Sequence, residues 1–314
     1  MVDEYGQEYR LWQECFGDTD EYIDYYFQEK TKDNIILKMF KEDELVSMVH
    51  LNPYDICWEG KLKRLYYIVG VCTAAQHRKH GYMRTLLNEA FKRMKDEDCP
   101  FTYLMPAKKE IYEPFDFQFI YTQKRLKGRL EAAELVAAEQ PKAEFAAVSY
   151  QSLTGEKREL VAEFQNQFLE KNYDLYAYRS KEYLDRLSKE MVAAGGELLI
   201  VLDKKENICG TLAYMAELRE KESICEVVES IFSPEKTKAM AALLEKRLLE
   251  RGRYWQVNFL ETSFWQVEEL ENCLEDASFY EKPIIMAKTL VENEASETLL
   301  KRLKAARVYL NEIV

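Results

Sequence analysis

Residues 67–87 read YIVGVCTAAQHRKHGYMRTLL. The first part, residues 67–73, is rich in apolar and β-branched side chains and predicts a strand, whereas residues 83–94 carry apolar side chains at helical spacing. The loop between them ends at Gly81. A strand, a glycine-containing loop and a helix in this order present the free N–H groups and the positive dipole end of a helix. The segment therefore predicts an α/β fold with an anion-binding turn that suits a pyrophosphate.

The loop carries the groups that a pyrophosphate needs. Arg78 and Lys79 supply positive charge, and Gly81 permits a positive φ or a close backbone approach. The spacing matches neither GxxxxGK[ST] nor GxGxxG, the phosphate loops of other nucleotide-binding folds. A single R-x-x-G match also occurs in ordinary surface turns, and His77 and His80 fit a solvated loop better than a catalytic role.

Hydrophobic periodicity predicts the elements around this segment. A helical stretch comes first and places Leu11, Trp12 and Cys15 on one face. Three strands of an antiparallel meander follow, and two more strands come after the helix that begins near Gly81. The predicted strands of the first half span residues 35–40, 45–51, 62–73, 101–105 and 115–121.

The loop resembles the acetyl-CoA signature of the GCN5-related N-acetyltransferase (GNAT) superfamily, R/Q-x-x-G-x-G/A. Arg78, Gly81 and Met83 stand in the three defining places, and Met83 replaces the usual small residue. The strand end at residues 71–73 also matches. The resemblance implies that acetyl-CoA is bound as a substrate, and that the residues holding it are Val71, Cys72, Thr73, Arg78, Lys79, His80, Gly81, Tyr82, Met83 and Arg84.

A second block supports the same resemblance. Residues 103–107 (YLMPA) look like the next strand of the family, and residues 111–117 (IYEPFDF) look like the segment with its catalytic tyrosine. The resemblance implies that Tyr112 is the general acid. A phenol has an ordinary pKa of about 10, so it is protonated at neutral pH and can donate a proton. Asp116 stands where glycine is usual in the family. Simple packing of Tyr112 in the core is the competing interpretation.

Within the superfamily, the chain resembles the enhanced-intracellular-survival (Eis)-like group, which has two GNAT domains in tandem and a sterol-carrier-like domain. Residues 111–117, the loop and residues 282–288 (KPIIMAK) carry this likeness. It implies that the C-terminal carboxylate, here that of Val314, lies in the active site. Because only about thirty residues follow Met286, we expect the sterol-carrier-like domain to be truncated or absent.

The second half of the sequence repeats the predicted element order of the first. The predicted fold class is therefore α/β (α+β), with two tandem GNAT-like domains, each a mixed, mostly antiparallel sheet flanked by helices, and a short C-terminal extension. We expect a catalytic domain over residues 1–130, a degenerate second domain over 131–290, and a short helix and strand over 291–314. The second loop, residues 230–237, contains no glycine and has Glu235 near the pyrophosphate position, so we expect it to bind no CoA.

The charge balance limits the class of partner. Lys plus Arg number 44 and Asp plus Glu number 56, which gives a net charge of −12. Nucleic acid is an unlikely partner for such a chain, because its affinity for proteins comes largely from clustered positive charge. A small cationic amine is easier to reconcile with the electrostatic field of a negatively charged protein.

The remaining composition points to a reduced compartment without a metal centre. The seven cysteines are scattered and form no CxxC pair, and there are only three histidines. The N-terminus is acidic and lacks an apolar signal core, so we expect a cytoplasmic protein. We expect no membrane partner, and a homo-oligomer remains open.

Two function hypotheses follow. The first is an N-acetyltransferase that moves an acetyl group from acetyl-CoA directly to a primary amine of a small, cationic acceptor. The second is a non-catalytic acyl-CoA-binding or interaction module, in which Met83 and Asp116 mark a decaying site. Turnover with any amine separates the two.

Overall fold

A computed structural model describes residues 6–131, 144–252 and 254–312. The chain divides into two compact units, called unit 1 and unit 2 below. Unit 1 consists of the described residues of Met1–Thr122, Asn172–Tyr178 and Pro283–Val314. Unit 2 consists of those of Gln123–Lys171 and Arg179–Lys282. The domain boundaries predicted from the sequence, at residues 130 and 290, remain predictions. By its contacts, the last segment of the chain, from Pro283, belongs to unit 1.

The described helices lie in segments of helical periodicity, except the short one at Val267–Glu271, which the sequence did not predict. They are α1 (Gly6–Phe16), α2 (Asp20–Glu29), α3 (Tyr82–Asp96), α4 (Gly155–Asn172), α5 (Lys181–Ala193), α6 (Thr237–Leu249), α7 (Val267–Glu271) and α8 (Glu294–Ala305).

The strands alternate with these helices in both halves. They are β1 (Ile35–Lys41), β2 (Glu44–Trp58), β3 (Lys61–Thr73), β4 (Phe101–Leu104), β5 (Gln118–Glu131), β6 (Phe145–Ser149), β7 (Leu175–Ala177), β8 (Glu197–Asp203), β9 (Ile208–Glu217), β10 (Ser223–Phe232), β11 (Tyr254–Phe259), β12 (Glu275–Thr289) and β13 (Val308–Tyr309).

The sheet of unit 1 is mixed. Its strand order is β13-β7-β2-β3-β4-β12, with β1 also paired to β2. The predicted meander of β1, β2 and β3 is confirmed, since both of its pairings are antiparallel. Strands β3 and β4 run parallel and are joined across α3, as is usual for parallel neighbours.

A bulge interrupts the pairing of β2 with β3. Met48 pairs with Cys72 and His50 pairs with Val69, so one residue of β2 faces two residues of β3, the first of which is Gly70. Gly70 has a φ of +60°. A Cβ on Gly70 would lie 2.7 Å from Cζ3 of Trp12 and 3.0 Å from Cδ2 of His50. Only glycine therefore fits this turn of the backbone without a rearrangement.

The side chains around the bulge form the core between the first two helices and the sheet. Trp12 of α1 packs against the rings of Tyr26 and His50 at centroid distances of 4.3 and 5.4 Å. The Tyr26 hydroxyl shares a hydrogen bond of 3.0 Å with Nδ1 of His50 and donates to Oδ1 of Asn52 at 3.2 Å. Burial lowers the pKa of His50 to about 3, and the positive charge of Lys38 adds to this effect. The imidazole is therefore neutral, and it is a structural member of this core.

Unit 2 repeats the element order of unit 1 with its own core. Its sheet has the order β5-β11-β10-β9-β8-β6, and α4, α5 and α6 occupy the sequence positions of α1, α2 and α3. Trp255, Trp265 and Phe232 are among its largest buried residues. Arg179 and Glu229 form an ion pair of 2.6 Å inside this unit, and both side chains are almost completely buried.

Several strands differ from the predicted ones. Strand β2 is longer than the predicted 45–51, because the polar residues after Leu51 continue the hairpin with β3 despite Pro53. Strand β5 starts later than predicted and continues to Glu131. The short strands β6 and β7 were not predicted, because a run of three to five residues carries too little periodicity to be recognised.

None of the helices built from described residues is both long enough and apolar enough to cross a membrane.

Substitution of Gly70 tests the bulge, and Gly60 provides the matched control. Gly60 also has a positive φ, of +73°, but a Cβ there would meet no atom within 4 Å. We expect Gly60→Ala to lower the free energy of unfolding by about 1–2 kcal/mol through backbone strain alone. Gly70→Ala should cost a further 1–3 kcal/mol or so, because its methyl group clashes with Trp12 and His50. Urea unfolding measures both, and equal losses would mean that the clash is relieved at no cost.

Candidate functional site

An open cleft of unit 1 brings together the end of β3, the loop after it and the start of α3. Its volume is about 560 Å³. All ten residues assigned to cofactor binding in the sequence analysis line it. The other residues of its wall are Cys15, Phe16, His77, Ile111 and Phe115.

The strand end in the cleft lies beyond its parallel neighbour. Tyr67 of β3 pairs with Tyr103 of β4. Strand β4 ends one residue later, at Leu104, whereas β3 continues to Thr73. Residues 71–73 therefore extend past the end of β4. Alternate backbone N–H and C=O groups of such a strand point away from β2 and can bind an extended ligand.

The loop after β3 is shaped by two left-handed residues. Lys79 has a φ of +67° and Gly81 a φ of +83°. Gly81 is the N-cap of α3, and its carbonyl oxygen accepts the hydrogen bond of Thr85 N–H at 3.0 Å. The N–H groups of the first helical turn have no acceptor within the helix and lie at its positive end. A Cβ on Gly81 would meet no atom within 4 Å, so the space above this residue is open.

The charged side chains of the loop are held by local contacts. Nε of Arg78 donates to the Thr73 carbonyl oxygen at 3.2 Å, which ties the guanidinium to the strand end. The His80 ring stacks on Tyr82 at a centroid distance of 5.8 Å. The guanidinium of Arg84 lies 4.9 Å from the centre of the Phe115 ring. Positive charge is thus fixed around the free helix end.

Tyr112 lies close to this cleft without being part of its wall. Its side chain is 8% exposed and packs edge-on against Phe117 at a centroid distance of 5.9 Å. Burial, and to a smaller extent the Cys72 thiol, raise the pKa of Tyr112 to about 12. Among the described residues, none forms a hydrogen bond with its hydroxyl. The group is therefore a protonated phenol in the neighbourhood of β3.

The turn after Tyr112 keeps its geometry although Asp116 stands in place of a glycine. Asp116 has a φ of +65°, the left-handed conformation that glycine adopts most easily and that aspartate tolerates. Its carboxylate also forms an ion pair with Nζ of Lys288, at 3.4 Å. The substitution is therefore compatible with the turn.

Val314, the other residue assigned a catalytic role, lies outside the described residues. The described segment that precedes it ends at Glu312, whose side chain is 3% exposed. The negative charge of Glu312 and the Tyr112 phenol both contribute to raising the pKa of Tyr67, after burial and the charge of Tyr54. Tyr67 therefore has both Glu312 and Tyr112 in its surroundings.

Sequence reasoning missed the contribution of α1 to the cleft. Cys15 and Phe16, at the C-terminal end of α1, line it, and the Glu14 carboxylate accepts a hydrogen bond of 3.0 Å from Ala75 N–H. About sixty residues separate α1 from the loop. No local pattern relates the two segments, so only the packed structure shows that α1 supports the loop.

The corresponding loop of unit 2 is closed by internal contacts. Thr237, at the start of α6, is fully buried, and its hydroxyl donates to the Pro234 carbonyl at 2.8 Å. The same hydroxyl accepts a hydrogen bond from Gln266 N–H at 2.9 Å. Phe232, at the end of β10, packs edge-on against Trp265 at 4.7 Å. The first residue of α6 is therefore buried and hydrogen-bonded, whereas α3 of unit 1 starts next to the open space at Gly81.

The first part of the sequence matches a known family model. Residues 2–120 match the family model of the acetyltransferase (GNAT) domain. This part of the chain is similar in sequence to a GNAT domain. The match confirms the family resemblance on which the sequence analysis relied. No curated protein matches the chain.

The GNAT fold extends over most of the chain. One similar structure is a protein of unknown function from Enterococcus faecalis V583, described as a probable N-acyltransferase. It superposes with a TM-score of 0.67 at 14% sequence identity, and the match covers 92% of this chain and 71% of that protein. A GCN5-related N-acetyltransferase from Anabaena variabilis gives a TM-score of 0.67 at 12% identity, over 93% and 71%. Eis1 from Mycobacterium abscessus gives 0.56 at 10% identity, over 92% and 71%. The two tandem GNAT-like units predicted from the sequence are thereby confirmed as a fold.

The open space above Gly81 generates a prediction about anion binding. Gly81→Asp places a carboxylate there, and aspartate tolerates the left-handed backbone. We expect the dissociation constant of acetyl-CoA to rise at least about tenfold, equivalent to 1.4 kcal/mol or so, because a negative charge faces the pyrophosphate. Gly60→Asp is the control for an equal charge at another positive-φ glycine. Calorimetry should give it the wild-type affinity, and unchanged affinity of Gly81→Asp would exclude the loop as the pyrophosphate site.

The contrast between the two loops predicts the stoichiometry. Since the loop of unit 2 has no glycine and its helix starts at the buried, hydrogen-bonded Thr237, we expect one acetyl-CoA per chain in a calorimetric titration. Two equivalent sites per chain would contradict this prediction.

Proposed function

We propose that this protein is an N-acetyltransferase that transfers the acetyl group of acetyl-CoA directly to a primary amine of a small, cationic acceptor. The observation that carries the proposal is the cleft of unit 1, in which the end of β3, the left-handed loop and the free helix end all line one open space. The GNAT family match over residues 2–120 supports the same class of reaction.

The cofactor is bound along two backbone features. The N–H groups at the start of α3 and the Arg78 and Lys79 side chains hold the pyrophosphate. The pantetheine arm lies along residues 71–73, past the end of β4, and pairs with the backbone there as an added strand would. A backbone N–H at the bulge that begins with Gly70 polarises the thioester carbonyl and stabilises the oxyanion.

The reaction requires no protein nucleophile. The neutral amine attacks the thioester carbonyl carbon, the C–N bond forms, and the tetrahedral oxyanion collapses with cleavage of the C–S bond. The nitrogen releases one proton to solvent, and the CoA thiolate takes one proton from Tyr112, which solvent then reprotonates. The net charge of −12 favours the approach of a cationic acceptor.

Tyr112 can serve as the general acid because its hydroxyl carries a proton at neutral pH, and burial makes this phenol a weaker acid than an exposed tyrosine. Its hydroxyl has no hydrogen-bond partner among the described residues, and its raised pKa of about 12 keeps it protonated throughout the neutral range. A departing thiolate beside Cys72 would be the strongest base near it.

The second hypothesis, a non-catalytic acyl-CoA-binding module, rests on Met83, a large side chain in the cleft wall. The conformation of Asp116 does not favour decay of the site, because the left-handed turn is retained. A screen of amines with acetyl-CoA as donor separates the two hypotheses. Release of CoA with polyamines, aminoglycosides or amine-bearing peptides supports the enzyme, whereas tight CoA binding without turnover across the whole panel supports the module.

The role of Tyr112 gives a specific prediction. Tyr112→Phe keeps the ring that packs against Phe117 and removes only the proton donor. General acid catalysis contributes 10²- to 10⁴-fold or so, and we expect kcat to fall at least about tenfold with little change in acetyl-CoA affinity. Steady-state kinetics and calorimetry measure the two quantities.

Tyr66→Phe is the control for loss of a tyrosine hydroxyl in the same unit. The Tyr66 hydroxyl donates to Glu97 at 2.7 Å, and neither residue lines the cleft. We expect this variant to lose stability of about 1 kcal/mol or more and to keep its kcat. Wild-type kcat in Tyr112→Phe would end the assignment of the general acid.

A further inference from the structure

Two free cysteines lie together at one side of the cleft. Cys15, near the C-terminal end of α1, is partly exposed, and Cys72 of β3 is buried. Both line the cleft, and each thiol shifts the pKa of the other. Sγ of Cys15 also donates to the Thr73 carbonyl oxygen at 3.8 Å. Two cysteines 57 positions apart in the sequence thus line the same cleft, and the sulfur of one contacts the backbone next to the other.

The surroundings of Cys15 favour its thiolate. The Cys72 thiol lowers the pKa of Cys15 most, and Arg78 lowers it further by its charge and a hydrogen bond, while burial and the neighbouring Glu14 oppose them. The net pKa is about 7. The C-terminal end of α1 would by itself disfavour an anion, so Cys72 and Arg78 supply the stabilisation.

Cys72 behaves as the proton-holding partner of the pair. Its pKa is raised, first by the neighbouring Cys15 sulfur as an acceptor, then by burial and by the negative charge of the Cys15 thiolate. Two of these three causes disappear once the Cys15 sulfur is no longer an anion. Cys72 then becomes a better nucleophile, at the moment when Cys15 has been oxidised.

We propose that Cys15 is a thiol-modification site in the cofactor cleft, that it reacts with low-molecular-weight disulfides, and that Cys72 resolves the product to an internal Cys15–Cys72 disulfide. The Cys15 thiolate attacks one sulfur of the small disulfide, the bond between the two reagent sulfurs breaks, and one thiolate leaves. Cys72 releases its proton to solvent and attacks the Cys15 sulfur, and the second thiolate leaves. Two protein thiols are oxidised and one small disulfide is reduced to two thiols, which take up protons from solvent.

Oxidation of this pair acts on the same arginine that the proposed function uses. Arg78 faces the Cys15 thiolate and is also the residue assigned to the pyrophosphate. Bound acetyl-CoA covers this wall, so it should protect Cys15, and the internal disulfide should change cofactor affinity. This consequence rests on the proposed function, whereas formation of the disulfide does not. In a reducing compartment the disulfide is transient and reports an oxidising shift.

The experiment treats the whole reduced protein with oxidised glutathione at pH 7 and maps its disulfides by peptide mass spectrometry. We expect a Cys15–Cys72 cross-link in the wild type. In Cys72→Ala, which cannot resolve, we expect a stable adduct of glutathione on Cys15, and Cys15→Ser should give neither product. A wild type that accumulates only the glutathione adduct, or no product at Cys15, overturns the proposal.

Cys273 serves as the internal control for exposure. It is more exposed than Cys15, but burial of its sulfur and the charges of Glu245 and Glu269 raise its pKa. With iodoacetamide at pH 7, we expect Cys15 to be alkylated at least about fivefold faster than Cys273, after allowance for the lower nucleophilicity of a low-pKa thiolate. Faster labelling of Cys273 would contradict an activated Cys15.

Acetyl-CoA separates this proposal from the proposed function. If both hold, saturating acetyl-CoA slows the alkylation of Cys15 at least about tenfold and leaves Cys273 unaffected. If the cross-link forms and acetyl-CoA gives no protection, the thiol pair is supported and the location of the cofactor is not. If acetyl-CoA binds and no cross-link forms, the thiol proposal fails and the proposed function stands.

Discussion

The bulge at Gly70 is the constraint on which the rest of unit 1 depends. Its positive φ lets β3 gain one residue against β2, and Trp12 and His50 fill the space where a Cβ would be. The strand beyond the bulge continues past the end of β4 and enters the cleft. The neutral His50 ring is in turn held by a hydrogen bond with the Tyr26 hydroxyl. Tight packing under the bulge therefore fixes the position of the backbone segment that we propose binds the cofactor.

The two units show how one element order produces an open site or a closed one. In unit 1 the loop contains two left-handed residues and its helix starts at a glycine, so the helix N–H groups remain accessible. In unit 2 the helix starts at a buried threonine that is hydrogen-bonded on both sides, and aromatic rings cover the strand end. Strand β10 also has a register shift against β9, between Val227 and Glu229. There, however, Glu229 forms a buried ion pair with Arg179. The second unit thus keeps the architecture and fills the space.

Three titratable groups at or near the cleft differ in how tightly they hold their protons. The phenol of Tyr112 is buried and holds its proton more tightly. The thiol of Cys72 does the same, and the thiol of Cys15 loses its proton more easily because Arg78 and Cys72 stabilise the anion. A proton donor, a proton-holding thiol and a thiolate thus occur within one small region. Their differences come from neighbours supplied by α1, β3 and the loop, and each group by itself would titrate in the ordinary range.

The sequence by itself predicted the fold class, the antiparallel meander, the loop proposed to bind the cofactor and the family resemblance, because period-two and helical patterns and an R-x-x-G loop between strand and helix are local signals. It also indicated that the second loop differs, through the missing glycine and Glu235. The tertiary structure alone decided that Cys15 and Phe16 join the cleft, that β7 and the segment from Pro283 belong to unit 1, and that Asp116 keeps the turn. Contacts between residues far apart in the chain leave no periodic pattern in the sequence, because they depend on how the packed helices and strands meet. A backbone dihedral angle likewise depends on spatial neighbours that no short motif specifies.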